Sequence, residues 1–534
     1  MKKALAILLT LVMIVGVFAG CATNGSNDSS TPVDSSKVEE SQSSESGAEE
    51  TDEYFTYDGV SAPVVTGDEV ITFKWLSQSD SDDNNTVVMQ KVQEIWGEKV
   101  KIEWEIKSWS EYQESVSPRL AAGTSLPDIC RLPGSNDDSG KYYKSGLFQD
   151  ITDIYEKYGY NLKRVLTEEY PEVGERLLTS EGKRYYVPAI CMSKDYGVVM
   201  MINGRWLEAV DMEAPTTTEE LYDLLKAFKE KDPNGNGQAD EVPFSFANGG
   251  QYSVSTLFGI DLSDGFTDIS GEWEDVYTCS DYREYLRYMH KLYAEGLLDN
   301  GYANNDGDMV SNKAANDLIG LVSDWAYAAS YVYSPCYDDY DGTTGIWHEM
   351  VPVKAPNGEQ FYRGIDPLDS VYGITKVCEH PELAFAIMDY LFNEDMQNLC
   401  NLGIKGEDWK VNDDGSIWVS PESLENENLG TLPRNLPRIQ SVITTDLAFP
   451  QWHIDENRIV REYVRLPLAW APVTDEDNDI WEQYYTDLSK YQNECLDKFI
   501  SGDMDVENDW DTYVAQCANM HQADLLQVFL NAQK

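Results

Sequence analysis

Two rhythms of apolar residues run along the chain. Over Glu69–Leu76, Val70, Ile71, Phe73 and Trp75 fall at the spacing of a strand, and Lys99–Ile106 alternates in the same way. Between them, Asn84–Trp96 sets Val87, Val88, Val92 and Ile95 on one face of a helix. Tyr112–Ala122 reads as a further helix, and Gly123–Asp128 as a turn into a third strand at Ile129 and Cys130. Strand, helix, strand predicts an α/β fold. Val198–Asn203 begins a second unit of the same kind, and Leu318–Val322 is a further apolar run. Helices are expected over Leu221–Phe228, Ser280–Glu295, His380–Leu391, Tyr484–Ile500 and Trp510–Leu530, with a strand over Val371–Lys376. No internal repeat is visible.

Composition narrows the class. With 534 residues and 42% hydrophobic content, the chain exceeds one ordinary domain, so two or three are expected. A formal charge of -54 excludes a nucleic-acid surface and disfavours anionic ligands. The 14 Trp and 33 Tyr suit stacking on sugar rings, although most must fill cores.

The first residues read as an address. A basic Met1-Lys2-Lys3, an apolar run over Ala4–Ala19 and the ending Phe18-Ala19-Gly20-Cys21 have the layout of a signal peptide over residues 1–20. The run is too short for a spanning helix. The Ala-Gly-Cys ending resembles a lipobox, which implies acylation of Cys21; Phe18 stands where Leu or Val is usual. Residues 21–54 hold the acylated cysteine and a disordered Ser- and acid-rich tether. A lipid anchor followed by a long tether suits the outer face of the cytoplasmic membrane of a Gram-positive cell. Cys130, Cys191, Cys279, Cys336, Cys378, Cys400, Cys495 and Cys517 are widely spread without a Cys-x-x-Cys pair, so four disulfides and eight thiols are both open, and no cysteine metal site is expected.

The richest chemistry lies in Lys231–Pro243. Asp232, Asn234, Asn236 and Asp240 put oxygens at nearly every second position, and Gly235 and Gly237 let the backbone turn between them. A loop of this kind wraps a hard cation, since Ca²⁺ takes six to eight oxygens from carboxylates, amides and carbonyls. The expected ligands are Asp232, Asn234, Asn236, the carbonyl of Gln238, Asp240 and Glu241. The twelfth loop position holds Pro243 instead of the bidentate Glu of an EF-hand, so Asp240 and Glu241 must supply that charge. A polar Asx turn is the plainer reading of the same residues. Thr217 with Glu220 forms a capping box, and Leu221, Leu224, Leu225 and Phe228 continue as an amphipathic helix into the loop.

Over residues 215–243 the chain resembles the extracellular solute-binding proteins of bacterial ABC importers, in the lipoprotein branch that takes up oligosaccharides. There "P-x-T-x-x-E-L" runs into "D-P-N-G-N-G-x-x-D-E-x-P", which binds a structural Ca²⁺. Leu120–Ile129, "L-A-A-G-T-S-L-P-D-I", is similar to the family's approach to a strand facing the ligand cleft. Gly146–Ile151, Tyr185–Pro188 and Gly403–Asp408 follow in the family's order, and the resemblance extends over residues 69–534. It implies a two-lobed fold of the periplasmic-binding-protein kind, two α/β domains joined by a hinge of several crossings with the ligand between them. The first lobe would comprise 55–190 with 366–445, and the second, bearing the calcium loop, 191–365 with 446–534.

The resemblance also implies a function. The closed form would carry an oligosaccharide to membrane permease subunits, most simply as a monomer. In the family an aromatic after the strand of Leu318–Trp325 stacks on sugar, which makes Trp325 the first candidate and Tyr327 its companion. Trp75, Gln78, Trp109 and Asp128, at ends of first-lobe strands or starts of loops, are the candidates across the cleft. A peptide importer keeps the architecture and changes the ligand. A secreted glycoside hydrolase needs two flanking carboxylates, which 94 acids supply without meaning. No Gly-x-Ser-x-Gly, His-Glu-x-x-His or phosphate-cradling loop is present, which does not exclude glycosidases, since they share no universal motif; the resemblance implies no catalytic residue.

Overall fold

In β1 (Ile71–Gln78) every side chain from Trp75 to Gln78 is buried, the mark of a strand covered on both faces. The computed structural model describes residues 54–533 apart from 58–59, 64, 66–69, 79–93, 133–138, 192–196, 248, 270, 413–416, 421–435, 441–448 and 469–472. The signal peptide, Cys21, the tether and most of the helix expected over Asn84–Trp96 lie outside those residues.

β2 (Val100–Lys107) pairs parallel with β1 along its full length. Helix α1 (Trp109–Ala122) begins three residues before the first predicted position, because Ser108 accepts from the Glu111 amide and Glu111 reaches back to the Ser108 amide. β3 (Ile129–Arg131) and β4 (Tyr186–Ile190) follow. β5 (Val198–Asn203) opens the second unit, with α2 (Thr218–Glu230), β6 (Val242–Phe246), α3 (Gly250–Val254), α4 (Ser280–Ala294), β7 (Ile319–Trp325) and β8 (Trp347–Glu349). The chain returns with β9 (Leu368–Ile374) and α5 (Pro381–Tyr390). It ends with α6 (Gln451–Val460), α7 (Asp475–Ser501), α8 (Trp510–Asn519) and α9 (Gln522–Ala532). The single helix expected over Trp510–Leu530 is two, since His521 takes a left-handed φ of 66° between them.

These elements build two sheets, the α/β two-lobed fold. The first has the order β2–β1–β3–β9–β4, with β9 antiparallel to both its neighbours. The second has the order β8–β5–β7–β6, with β6 and β7 parallel and β5 reversed. Each carries its own core. One draws on Phe73, Trp75, Ile129, Val187, Tyr372 and Phe385, the other on Met201, Trp206, Phe228, Phe244, Leu321, Phe499 and Tyr513.

Where the chain passes between the cores, three segments lie side by side. The Ile190 amide donates to the Arg438 carbonyl at 2.7 Å, the Gln440 amide donates to the Ile190 carbonyl at 2.8 Å, and the Cys191 amide donates to the Pro367 carbonyl at 2.9 Å. This ribbon fixes which strand ends face the other lobe. β1, β3 and β4 all run toward it, and β5 leaves it. All eight cysteines from Cys130 to Cys517 are free thiols, and burial pushes several up, Cys130 and Cys279 to about 12.

Candidate functional site

The second sheet delivers its aromatics to the hinge-facing edge. β7 is buried from Ile319 to Ser323 and emerges at Asp324 and Trp325. Trp325 pairs with Val198, the first residue of β5, so its side chain leaves the sheet beside the chain crossing. Asp324 holds the turn that follows. One oxygen accepts from the Trp325 amide at 2.8 Å, the other from the Tyr333 hydroxyl at 2.6 Å.

Beyond the turn, the Tyr331 amide donates to the Tyr327 carbonyl at 3.0 Å, which sets the two tyrosines one helical turn apart. Trp325, Tyr327 and Tyr331 are 41%, 38% and 58% exposed, three large rings in seven residues left facing water. Phe449 meets Tyr331 edge-on with centroids 5.2 Å apart, and rests in turn on His453 at 4.6 Å. Tyr331 and Phe449 were not singled out in the sequence. Their exposure depends on a turn and a chain crossing brought together from distant stretches, and no local pattern marks it.

The candidates on the first sheet fare differently. Trp75 is fully buried, its ring 5.0 Å from that of Trp104 and edge-on to Tyr372, so it belongs to the core and cannot meet a ligand. Asp128 stands at the start of β3, the end away from the hinge. Its carboxylate accepts from the Lys74 amide at 2.8 Å and its backbone bridges Lys74 and Thr375, which makes it a strand tie. Gln78 does reach the hinge-facing end, but it is 4% exposed and its Oε1 accepts from Arg131 at 3.2 Å. Trp109 opens α1. The segments that follow Gln78 and Leu132 lie outside the described residues.

The oxygen-rich loop Lys231–Glu241 joins α2 to β6. Thr217 caps the helix by accepting from the Glu220 amide at 3.2 Å, while the Glu220 carboxylate reaches past Thr217 to the Thr216 amide and hydroxyl, at 2.8 and 2.7 Å. After Lys231 the backbone turns left-handed at Asp232, Gly235 and Gly237. The Asp232 oxygens accept from the Asn236 and Gly237 amides, and Asn236 Nδ2 lies 3.0 Å from Asp240 Oδ1. Asn234 is tied through its amide to the Asp317 carbonyl at 3.1 Å, leaving its oxygen turned into the loop toward the Asn236 amide.

Glu241 Oε1 is buried without a hydrogen-bond partner. Burial first, and then the charges of Asp232 and Asp240, push its carboxyl above the usual range. An orphaned buried carboxylate oxygen in a loop of carboxylate, amide and carbonyl oxygens is the arrangement a divalent cation relieves, so these residues fit Ca²⁺. Among the described residues no cluster of three or more His, Cys, Asp and Glu side chains is drawn together as a metal site; the loop's donors are a mixture of carboxylates, amides and a carbonyl. Val242 pairs with Ile319, at the opposite end of β6 and β7 from Trp325.

Comparison with known proteins bears on the fold and the family. Among sequences, the fructooligosaccharide ABC transporter substrate-binding protein FusA of Streptococcus pneumoniae serotype 4 is 26% identical over 523 residues, covering 89% of this chain and 91% of its own. Lipoprotein LipO of Bacillus subtilis is 23% identical over 449 residues, covering 80% and 85%. Among solved structures, alginate-binding protein AlgQ2 without calcium ion superposes with a TM-score of 0.68 at 20% identity, over 87% of this chain and 98% of its own. An EF-hand mutant of FusA in complex with fructo-nystose superposes at 0.66 with 21% identity, over 86% and 98%. Residues 81–398 match the family described as bacterial extracellular solute-binding protein. The chain belongs to the bacterial extracellular solute-binding proteins.

Proposed function

We propose that the chain is the lipid-anchored receptor of an ABC importer, acylated at Cys21, that captures an oligosaccharide between its two lobes and presents it to the permease. The carbohydrate class is supported by the relatives, and the observation that carries the oligosaccharide reading is the platform of Trp325, Tyr327 and Tyr331 at the hinge-facing edge. Flat rings with a polar rim bind the apolar faces of sugars while their hydroxyls and neighbouring acids accept hydrogen bonds. Three successive rings suit several sugar units.

A ligand touching both lobes stabilises the closed form by its differential affinity for that form, which drives bending at the hinge. Binding without chemistry is the proposed role. The lobes are proposed to comprise 55–190 with 366–445 and 191–365 with 446–534, in a monomer. Asp232, Asn234, Asn236, the Gln238 carbonyl, Asp240 and Glu241 would hold a structural Ca²⁺, which supplies the positive charge that the loop's acids lack. Because the loop sits at the far end of β6, its part is to brace the second lobe.

Thermal unfolding with calcium, against kestose, nystose, other neutral and acidic oligosaccharides and short peptides, tests the reading. Saturating ligand adds about 2.7 kcal/mol at a hundred times its dissociation constant. A glycan that stabilises and is recovered unchanged supports it; stabilisation by peptides alone, or recovery of a cleaved glycan, overturns it.

A further inference from the structure

On the second lobe, the first turns of α2 and the middle of α4 line an open cavity of about 630 Å³. It is lined by Thr218, Glu219, Tyr222 and Asp223 from α2, by Glu284, Arg287, Tyr288 and Lys291 from α4, and by Phe258 and Pro356. None of these belongs to the aromatic platform after β7.

The aromatic part of the cavity is rigid. Phe258 and Tyr288 meet with centroids 5.3 Å apart, and the Tyr288 hydroxyl donates to the Thr218 carbonyl at 2.9 Å. The Tyr222 hydroxyl donates to Glu295 at 2.6 Å, and Lys291 Nζ stands 3.4 Å from the centre of the Tyr222 ring. The rings are therefore held by their own bonds before any ligand arrives, which lowers the entropic cost of binding.

The rim carries both signs. Glu219, Asp223 and Glu284 offer carboxylates, while Arg287, fixed by Glu284 and Glu507, and Lys291 offer donors. On a chain with a formal charge of -54, a cavity whose acids are nearly balanced by cations disfavours an ion of either sign. It favours a neutral ligand rich in hydroxyls, which can donate to carboxylates and accept from cations while one face lies against the half-buried Tyr288, itself backed by Phe258. The volume is that of a small-molecule site.

We propose that this cavity is a second carbohydrate site, outside the cleft, which takes a neutral sugar unit. It rests on the carbohydrate reading above and would hold one part of a longer glycan, or a second glycan, against the flank of the receptor. Calorimetry and native mass spectrometry of the mature chain with calcium, against kestose, nystose, maltotriose and cellotriose at millimolar concentration, test it.

The expected result is two equivalents bound, one tight and one weak. Asp223→Ala, at an exposed position, weakens the second at least about tenfold and leaves the first unchanged. Trp325→Ala with Tyr331→Ala removes the first and leaves the second. One equivalent in the native chain, with an Asp223→Ala isotherm that superposes on it, overturns the second site and leaves the cleft intact. No equivalent of any of these sugars overturns the carbohydrate reading itself, and the second site with it.

Discussion

Lys144 Nζ lies 3.1 Å from Asp475 Oδ1, an ion pair between the helix Ser139–Lys144 beside the first core and the N-terminus of α7, whose later turns pack in the second. It joins the lobes away from the hinge ribbon. Both partners are partly in water, so the pair is worth little to folding and is screened by salt. Asp475→Asn is expected to leave the melting temperature within about a degree while raising the ligand dissociation constant about two- to fivefold, since an exposed pair contributes up to about 1 kcal/mol. Titration calorimetry at low salt shows the change, and molar salt abolishes it; an unchanged affinity at low salt contradicts an inter-lobe role.

Trp325 and Trp75 should separate binding from folding. Trp325→Ala removes an exposed ring and is expected to cost roughly thirtyfold in affinity with no loss of stability. Trp75→Ala leaves a hole against Trp104 and Tyr372 and is expected to cost about 3–5 kcal/mol, with native affinity in whatever remains folded. Chemical denaturation and fluorescence titration of both variants check the pair.

Glu241 gives the calcium loop a crossing test. Without metal the burial of its Oε1 and the charges of Asp232 and Asp240 both disfavour its ionised form, so Glu241→Gln relieves that penalty and should melt above the native chain in chelator. With calcium the same change removes a ligand and should melt below it. Sugar affinity is expected to stay within about twofold in both, because the loop lies at the opposite end of β6 from the platform. Scanning calorimetry with and without chelator decides; parallel curves in the two conditions would exclude metal from the loop.

Glu349 and His453 set a pH window for stability. They are buried with Glu349 Oε1 3.3 Å from His453 Nδ1, and Asn457 Nδ2 donates to Glu349 at 3.1 Å. Burial lifts the Glu349 carboxyl from 4.5 to about 8 and lowers His453 from 6.5 to about 4, so both are held neutral, with Asn457 rather than the imidazole hydrogen-bonded to the carboxyl. A raised carboxyl contributes stability that is lost as pH rises from 4.5 through 8, where the unfolded chain ionises and the native one resists. A lowered imidazole contributes stability that is lost as pH falls from 6.5 toward 4. Glu349→Gln is therefore expected to raise the melting temperature relative to the native chain by an amount that grows from pH 5 to pH 8. A difference that does not change with pH would contradict this.

Local patterns were the legible part of this chain. The cap at Thr217, the stripe of Leu221, Leu224, Leu225 and Phe228, and the oxygens of 232–241 are all set within one stretch of sequence, and they fold where the spacing places them. α7 was only half visible, since its first turns, Asp475 to Asp479, carry acids and no apolar stripe; Thr474 caps it by accepting from the Asp477 amide. Trp75 was not excluded by the sequence, because polar Ser77 and Gln78 follow it like a strand end, and only the folded strand buries both of them. Tyr331 and Phe449 could not have been found, since nothing near either predicts the crossing that unites them.

The ribbon formed by Ile190, Pro367 and Arg438 has a mechanical consequence. Separate tethers would let one lobe slide, twist or tilt against the other. Segments laced by backbone hydrogen bonds resist sliding and splaying, which would break those bonds, and yield most readily to folding along one line, as pages turn on a spine. Such a receptor has close to a single degree of freedom. It would translate the size of its cargo into one angle, and that angle is a quantity a membrane partner can measure without touching the sugar.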